Sequence, residues 1–201
     1  MSRAFFQPFY HFFILLTMFI FMICIFFTPI FIGKYEIHFI SPNKLTISSQ
    51  GFAWPTPGYT TITSYYGKRI SPTAGASNFH KGIDIGAPEG SLMIAIIDGL
   101  ITFTGFLGGG GYTITLTHEN MKITYCHVSP NYIVKEGDYV KQGQIIAKVG
   151  PKYVEGVVGN QYTDETGRPT NGATTGPHLH LGIRIDENYV DPLSLYLTYK
   201  Q

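Results

Sequence analysis

The sequence contains few cysteines and few charged residues for its length. Only Cys24 and Cys126 occur among 201 residues, and Cys24 lies inside a strongly apolar run, so we expect no disulfide between them. This excludes a small scaffold held together by disulfides. Lysine and arginine (14) nearly balance aspartate and glutamate (13), for a formal net charge of +1. Because this balance provides no basic stripe, we expect no nucleic-acid partner.

Helix-forming runs are scarce after residue 32, whereas glycine (23) and tyrosine (14) are abundant. Short segments rich in β-branched and aromatic residues recur instead, separated mostly by Gly, Pro, Asn or Asp. This pattern predicts an all-β, mostly antiparallel, sandwich-like domain over residues 54–201. The predicted strands are 61–66, 91–97, 99–106, 112–117, 122–127, 144–149 and 178–185.

Residues 9–32 are almost wholly apolar and carry no formally charged side chain. At a rise of about 1.5 Å per residue, a helix of this length crosses a hydrocarbon core of about 30 Å. We therefore predict one N-terminal transmembrane helix, with a short head at 1–8 and a juxtamembrane linker at 33–53. A cleaved signal peptide is the alternative, but the run is long for one and no small-residue cleavage site follows it.

Residues 176–181 place two histidines, His178 and His180, two residues apart in a predicted strand. Side chains two apart in a strand share a face, so both imidazoles point one way and Leu179 points into the core. The pair is either part of a metal site or two surface histidines. The residues alone do not decide which of the two would bind a metal.

A second pair, His80 and Asp84, lies four residues apart with Gly82 between them. In an extended or bulged segment, side chains at this spacing also share a face. With one histidine of the 178/180 pair, they form a ligand set of two nitrogens and one oxygen. Such a set leaves the fourth position of a zinc ion open to water, as in catalytic sites. Zinc lowers the pKa of bound water from about 15.7 towards 7, and His127 is a further candidate to move protons.

These motifs, in this order, resemble the lysostaphin-type (LytM-type) zinc metallopeptidases that cut peptidoglycan peptides. The resemblance covers about residues 54–195. It rests on separated segments rather than on one motif: Thr-Ser-Tyr-Tyr-Gly-Lys-Arg at 63–69, His-Lys-Gly-Ile-Asp at 80–84, Asp-Gly at 98–99, the glycine-rich stretch 105–111, Tyr-Cys-His at 125–127, residues 137–146, and Thr-Gly-Pro-His-Leu-His at 175–180.

The resemblance implies a lysostaphin-like duplicated hybrid motif and one Zn²⁺ per chain, bound by His80, Asp84 and His180. It implies that His127 and His178 are catalytic, one as general base and one as oxyanion stabiliser. The expected function is a membrane-anchored endopeptidase that cuts peptidoglycan stems or cross-bridges outside the cytoplasmic membrane. Its partners would be wall peptides, the membrane and unspecified cell-wall, division or sporulation proteins.

Residues that would border the substrate follow from the same reading. Gly110 and Tyr112 lie where a peptide backbone must approach closely, and Thr175 precedes the final motif. Cys126 is adjacent to His127, and neighbouring strand residues face opposite ways, so we expect Cys126 to face the core. Residues 151–171 lengthen the usual connection to the last motif, and we expect them to remodel one groove wall.

Two other functions remain open at this stage. Residues 137–146, with Lys122 at a hairpin turn, resemble a biotinyl or lipoyl carrier domain. The residues flanking Lys122 do not give the usual Met-Lys-Met context, and a carrier has no use for convergent histidines. The second alternative is a catalytically silent wall-binding or scaffold protein of the same fold. The presence of all five expected site residues argues against it.

Overall fold

The computed structural model describes residues 13–20 and 51–196. Residues 13–20 form a helix with exposed side chains. Most of the predicted transmembrane segment 9–32, and the linker up to residue 50, lie outside the described residues. Among the residues that are described, no helix is long and apolar enough to cross a membrane.

Residues 51–196 are built from short strands with two single 3-10 turns, at Gly108–Gly110 and Pro192–Leu195. In chain order the strands are β1 Ile62–Ser64, β2 Gly67–Lys68, β3 Phe79–His80, β4 Ile83–Gly86, β5 Leu92–Ile94, β6 Gly99–Phe106, β7 Tyr112–His118, β8 Met121–Cys126, β9 Tyr139–Val140, β10 Ile145–Lys148, β11 His178–Ile185 and β12 Asn188–Val190.

The main sheet has eight strands in the order β1-β4-β11-β8-β7-β6-β9, with β12 paired to the second half of β11. Two further pairs, β5 with β10 and β2 with β3, form separate small sheets. Every strand pair in the described part is antiparallel. The prediction of a mostly antiparallel β domain is therefore confirmed.

Strand β11 crosses the middle of the main sheet and has one apolar face. Its alternate residues Leu179, Leu181 and Ile183 are fully buried, while His178 and His180 are only partly buried on the other face. This alternation confirms that Leu179 faces the core and that the two histidines share a face. Because the apolar face packs into the core, the two histidine side chains lie on the opposite surface of the sheet.

The core joins the main sheet to the β5–β10 pair, because buried side chains from both form one cluster. Tyr125 of β8 is the largest fully buried side chain and spans the two layers. Its hydroxyl accepts a hydrogen bond from the backbone N–H of Ile96, just after β5, at 3.0 Å. Burial raises the pKa of Tyr125, so the phenol stays neutral.

The longest strands have the predicted bounds, 99–106 and 178–185. The predicted strand 61–66 is shorter, because Gly67 and Lys68 leave the main sheet to pair with β3. The short strands β2, β3, β4, β9 and β12 were not among the predicted strands. They have two to four residues and exist because a neighbouring strand provides hydrogen bonds, which local propensity does not show.

Replacing Tyr125 by phenylalanine should destabilise the fold by about 1–3 kcal/mol, because the buried N–H of Ile96 would lose its acceptor. The free energy of unfolding can be measured by urea denaturation. Tyr139→Phe is the matched control, since this side chain is 60% exposed. Equal stability of the two variants would show that the hydroxyl does not connect the layers.

Candidate metal centre

The polar face of the main sheet brings together His80, Asp84 and His180. Asp84 of β4 lies directly opposite His180 of β11 in the strand register, and His80 ends β3 just before the turn into β4. His80 Nε2 and His180 Nδ1 lie 3.0 and 2.8 Å from Asp84 Oδ1. The two nitrogens are 2.8 Å apart. Sequence positions separated by about a hundred residues therefore meet at one point.

The donor atoms of these three residues suit a metal ion. The two imidazole nitrogens and the carboxylate oxygen form a triangle in which each atom faces the other two. This is the arrangement of ligands around a common centre rather than of a simple chain of hydrogen bonds. Two imidazole nitrogens and one carboxylate oxygen form a zinc ligand set with an open fourth position. His80 and Asp84 are buried, so the site is partly shielded from bulk water.

Neighbouring groups orient the predicted ligands. His80 Nδ1 donates to the carbonyl oxygen of Tyr65 at 2.8 Å, which leaves Nε2 free to bind a metal. Arg69 Nη1 donates to the second carboxylate oxygen of Asp84 at 3.1 Å and to Ser64 Oγ at 2.7 Å. Such contacts fix ring and carboxylate orientation in metal sites. The sequence placed Arg69 in a motif but indicated no role for it.

The protonation states also suit metal binding. Burial opposes ionisation of Asp84, but the neighbouring imidazoles of His180 and His80 outweigh it and hold the pKa of Asp84 well below its usual range. Burial lowers the pKa of His180, although the neighbouring Asp84 partly offsets this. Metal ligands must be deprotonated, and both groups are in that form near neutral pH.

Gly82 lets the β3–β4 turn lie against β11. A Cβ atom at this position would lie 2.9 Å from the ring of His180 and would overlap the carbonyl oxygen of Leu181. Any larger residue would push the turn, and the histidine and aspartate that flank it, away from His180. The glycine between His80 and Asp84 is therefore part of the site's construction.

His127 follows β8 and has a left-handed backbone with φ of 58°. This conformation is uncommon for a residue other than glycine. It is held by hydrogen bonds from His127 N to Gly110 O and from Gly150 N to His127 O, both 2.8 Å. Backbone strain of this kind persists only where the surrounding structure fixes it, and it is concentrated at functional sites.

The ring of His127 is buried and oriented by Asn171. Its Nδ1 donates to the carbonyl oxygen of Asn171 at 2.7 Å. Burial, with smaller contributions from His178 and His180, lowers the pKa of His127 to about 3. The imidazole is therefore neutral, with Nε2 as the nitrogen able to accept a proton.

His178 has a similar arrangement at the start of β11. Its Nδ1 donates to the carbonyl oxygen of Gly176 at 2.8 Å, with Thr174 Oγ1 at 3.3 Å. Its Nε2 lies 3.6 Å from Asp84 Oδ1. The rings of His127 and His178 have their centroids 4.6 Å apart. The structure therefore brings both predicted catalytic histidines beside the three predicted ligands.

The prediction that Cys126 faces the core is wrong. Cys126 lies opposite His180 in the β8–β11 register and lines the same groove as His127. Alternation fails here because the left-handed backbone of His127 turns the chain, so consecutive side chains reach one face. The thiol is free and buried, and burial raises the pKa of Cys126 to about 12, which keeps it protonated.

The cluster of His80, Asp84 and His180 lies in a groove of about 820 Å³. One wall is formed by residues 70–77, and the other by residues 107–110 with 173–177. Gly110 and Thr175, both predicted to border the substrate, line it. Tyr112 does not, because its ring packs edge-on against Phe106 and Tyr132, with centroids 5.4 and 6.2 Å away.

Residues 151–171 fold back on themselves through bridges between Tyr153 and Thr170 and between Thr163 and Pro169. Tyr162 of this segment reaches both groove walls. A Cβ atom at Gly75 would lie 2.7 Å from its ring, and one at Gly109 would lie 3.4 Å from its hydroxyl. The segment is therefore in direct contact with the groove.

Asn171 is a residue that sequence reasoning missed. It is fully buried, and its side chain accepts from Tyr112 N at 2.8 Å and donates to Val128 O at 3.0 Å. These bonds fix the carbonyl that orients His127. Locally, asparagine followed by Gly172 indicates only a turn, so no sequence signal could have found this role.

Comparisons with known proteins are consistent with this geometry. DD-carboxypeptidase/endopeptidase Mpg from Neisseria meningitidis is 35% identical over 156 residues, which cover 77% of this chain and 31% of that protein. Peptidoglycan DD-endopeptidase ShyC from Vibrio cholerae is 29% identical over 135 residues, 67% of this chain and 27% of the relative. The chain thus matches about a third or less of these relatives' lengths.

Solved structures share the fold. A zinc-containing peptidase from Vibrio cholerae matches with a TM-score of 0.54 and 26% identity, over 73% of this chain and 44% of that one. The catalytic domain of lysostaphin from Staphylococcus simulans matches with a TM-score of 0.52 and 30% identity, over 67% of this chain and 90% of that domain.

The sequence profile of peptidase family M23 matches residues 78–192. The matched region contains all five clustered residues, from His80 to His180. It also contains the groove wall at 107–110 and the segment 151–171. The match covers more than half of the sequence, so the chain belongs to peptidase family M23.

Proposed function

We propose that this chain is a zinc-dependent endopeptidase that hydrolyses amide bonds in the stem peptides or cross-bridges of peptidoglycan. The observation that carries the proposal is the meeting of His80 Nε2, Asp84 Oδ1 and His180 Nδ1 in a groove, with two further imidazoles beside them. The names of the Neisseria and Vibrio relatives, which cite DD-endopeptidase activity, support the choice of substrate.

His80, Asp84 and His180 would hold one Zn²⁺ ion. Zinc in such a site lowers the pKa of bound water and polarises a carbonyl oxygen. The chain contributes the geometry: Tyr65 O fixes the tautomer of His80, and Arg69 holds the outer oxygen of Asp84. These contacts prepare the ligands before the substrate binds.

His127 and His178 would manage protons. Each donates its Nδ1–H to a backbone carbonyl, so each has Nε2 available for the reaction. One histidine accepts the proton of the attacking water at its Nε2, and the other donates to the developing oxyanion once its Nε2 has taken up a proton. The fixed tautomers leave both Nε2 atoms positioned for these tasks next to the metal site.

We further propose that residues 9–32 anchor the chain in the cytoplasmic membrane and that the peptidase domain lies on its outer side. The support is the length and apolarity of the segment. The proposed substrate is outside this membrane, so the domain must be outside to reach it. An anchored enzyme of this kind acts on the wall of its own cell, which favours wall remodelling as its role.

Metal analysis tests the ligand set. The purified protein should contain about one zinc per chain, and His80→Ala and Asp84→Ala should each remove most of it, because two ligands hold zinc poorly. The measurement is metal content by mass spectrometry after dialysis. His118→Ala, at the β7–β8 hairpin outside the cluster, is the control. Full zinc occupancy in either ligand variant would refute the assignment.

Hydrolysis tests the two other histidines. His127→Ala and His178→Ala should retain zinc but lose about 10²–10⁴-fold in rate, the usual contribution of general acid–base catalysis. New amino groups released from purified walls give the rate, and mass spectrometry identifies the bond. A wild-type protein that binds zinc yet cuts no wall type would instead support the catalytically silent alternative.

Cell fractionation tests the anchor. The full chain should remain with membranes after alkaline washing and be released by detergent, because a spanning helix is held by the hydrocarbon core. Protease added to spheroplasts should digest the peptidase domain. A variant that lacks residues 9–32 serves as control and should be found in the soluble fraction. Protection from protease in intact spheroplasts would place the domain on the wrong side.

A further inference from the structure

The groove floor continues along β11 beyond the metal centre and ends at Arg184. Side chains two apart on a strand share a face, so His180, Gly182 and Arg184 line the groove in succession. Gly182 has no side chain, and the backbone of Lys81 packs over it, because a Cβ atom at Gly182 would lie 3.3 Å from the carbonyl oxygen of Lys81. At about 3.3 Å per residue, the Cα atoms of His180 and Arg184 are about 13 Å apart. A substrate peptide that passes over Lys81 would reach the guanidinium.

The guanidinium of Arg184 is incompletely paired. Its Nη1 donates to Glu187 Oε2 at 3.1 Å, and Glu187 is shared with Lys122. The Nε of Arg184 is buried and has no hydrogen-bond partner within the part of the chain that the structure describes. Leaving such a donor without an acceptor costs free energy. The Nε itself is too buried to contact a ligand, but the Arg184 side chain is 29% exposed and lines the groove, so its terminal nitrogens are the groups that would contact one.

This end of the groove is cationic. The Nζ of Lys81 lies 5.0 Å from the centre of the Tyr189 ring, and the guanidinium carbon of Arg184 lies 5.4 Å from it. All three side chains line the groove. The carboxylate of Glu187 is 62% exposed and is divided between two cations, so it does not neutralise the group. An anionic ligand would be attracted to this position.

We propose that Arg184, assisted by Lys81, binds a free carboxylate of the substrate peptide. Arginine presents a planar fork of N–H donors that matches a carboxylate, which makes it suited to recognise one. Stem peptides of peptidoglycan carry free carboxylates on glutamate residues and at chain ends, and some walls convert them to carboxamides. In an extended peptide, the recognised group would lie about two to four residues from the scissile bond.

This inference rests on the proposed peptidase function and adds a selection between acidic and amidated peptides. The test uses two synthetic cross-linked stem peptides that differ in one group, a carboxylate or the corresponding carboxamide. The wild-type protein should have the higher kcat/KM on the carboxylate peptide. Arg184→Gln should lose about tenfold on that peptide and change little on the carboxamide, because only the charged pair is removed. Arg184→Lys should retain part of the preference.

One control and one second test variant distinguish loss of carboxylate recognition from a general loss of activity. Lys141→Gln removes the same charge from an exposed side chain that pairs with Asp98, and should leave the preference unchanged. Lys81→Gln, at an exposed groove residue, should lose about threefold on the carboxylate peptide alone. The second variant keeps the test valid even if Arg184→Gln disturbs the β11–β12 hairpin.

Equal loss on both peptides, or equal use of both by the wild-type protein, would overturn the proposal. If the wild-type protein cuts neither peptide, the proposed peptidase function fails. The carboxylate subsite is then tested separately by the binding of the same peptides. Calorimetry with the same two peptides should then show tighter binding of the carboxylate form, and Arg184→Gln should remove the difference. Equal affinities would reject the subsite.

Discussion

The pairing of β4 with β11 is the constraint on which the site depends. It places Asp84 directly opposite His180, with Asp84 Oδ1 2.8 Å from His180 Nδ1. His80 reaches the same point because the turn through Gly82 is tight enough to lie against β11. A shift of register by one residue would turn Asp84 or His180 into the apolar core. The buried row of Leu179, Leu181 and Ile183 opposes that shift, so core packing fixes the geometry of the polar face.

Burial and the neighbouring imidazoles together give the clustered groups unequal charges. Asp84 is ionised because the imidazoles of His180 and His80 beside it outweigh its burial, whereas His127 is neutral because its ring is buried next to other imidazoles. Asp84 is therefore a carboxylate, and His127 and His180 are neutral rings, as proton acceptors and metal ligands require. Backbone carbonyls at Tyr65, Gly176 and Asn171 each fix one ring nitrogen, so the opposite nitrogens of these histidines point to a common region.

The segment 151–171 is integrated with the site. Its last residue, Asn171, orients His127, and its Tyr162 contacts both groove walls. The segment therefore contributes to the orientation of a predicted catalytic histidine and to groove shape at once. At the other end of the groove, Arg184 provides the proposed second element of selectivity, on the same strand as the predicted metal ligand His180. Strand β11 thus carries the proposed chemistry and the proposed recognition on one face.

The sequence by itself determined what depends on short-range pattern. Alternation predicted strands 99–106 and 178–185 and the shared face of His178 and His180, and an ordered set of motifs indicated the family. Only the tertiary structure decided the direction of Cys126, the contacts of Asn171 with His127 and the packing of Tyr112 away from the groove. In each case the deciding contact is with a residue distant in sequence. The left-handed turn at His127, for example, is held by Gly110 and Gly150, and no local pattern encodes such hydrogen bonds.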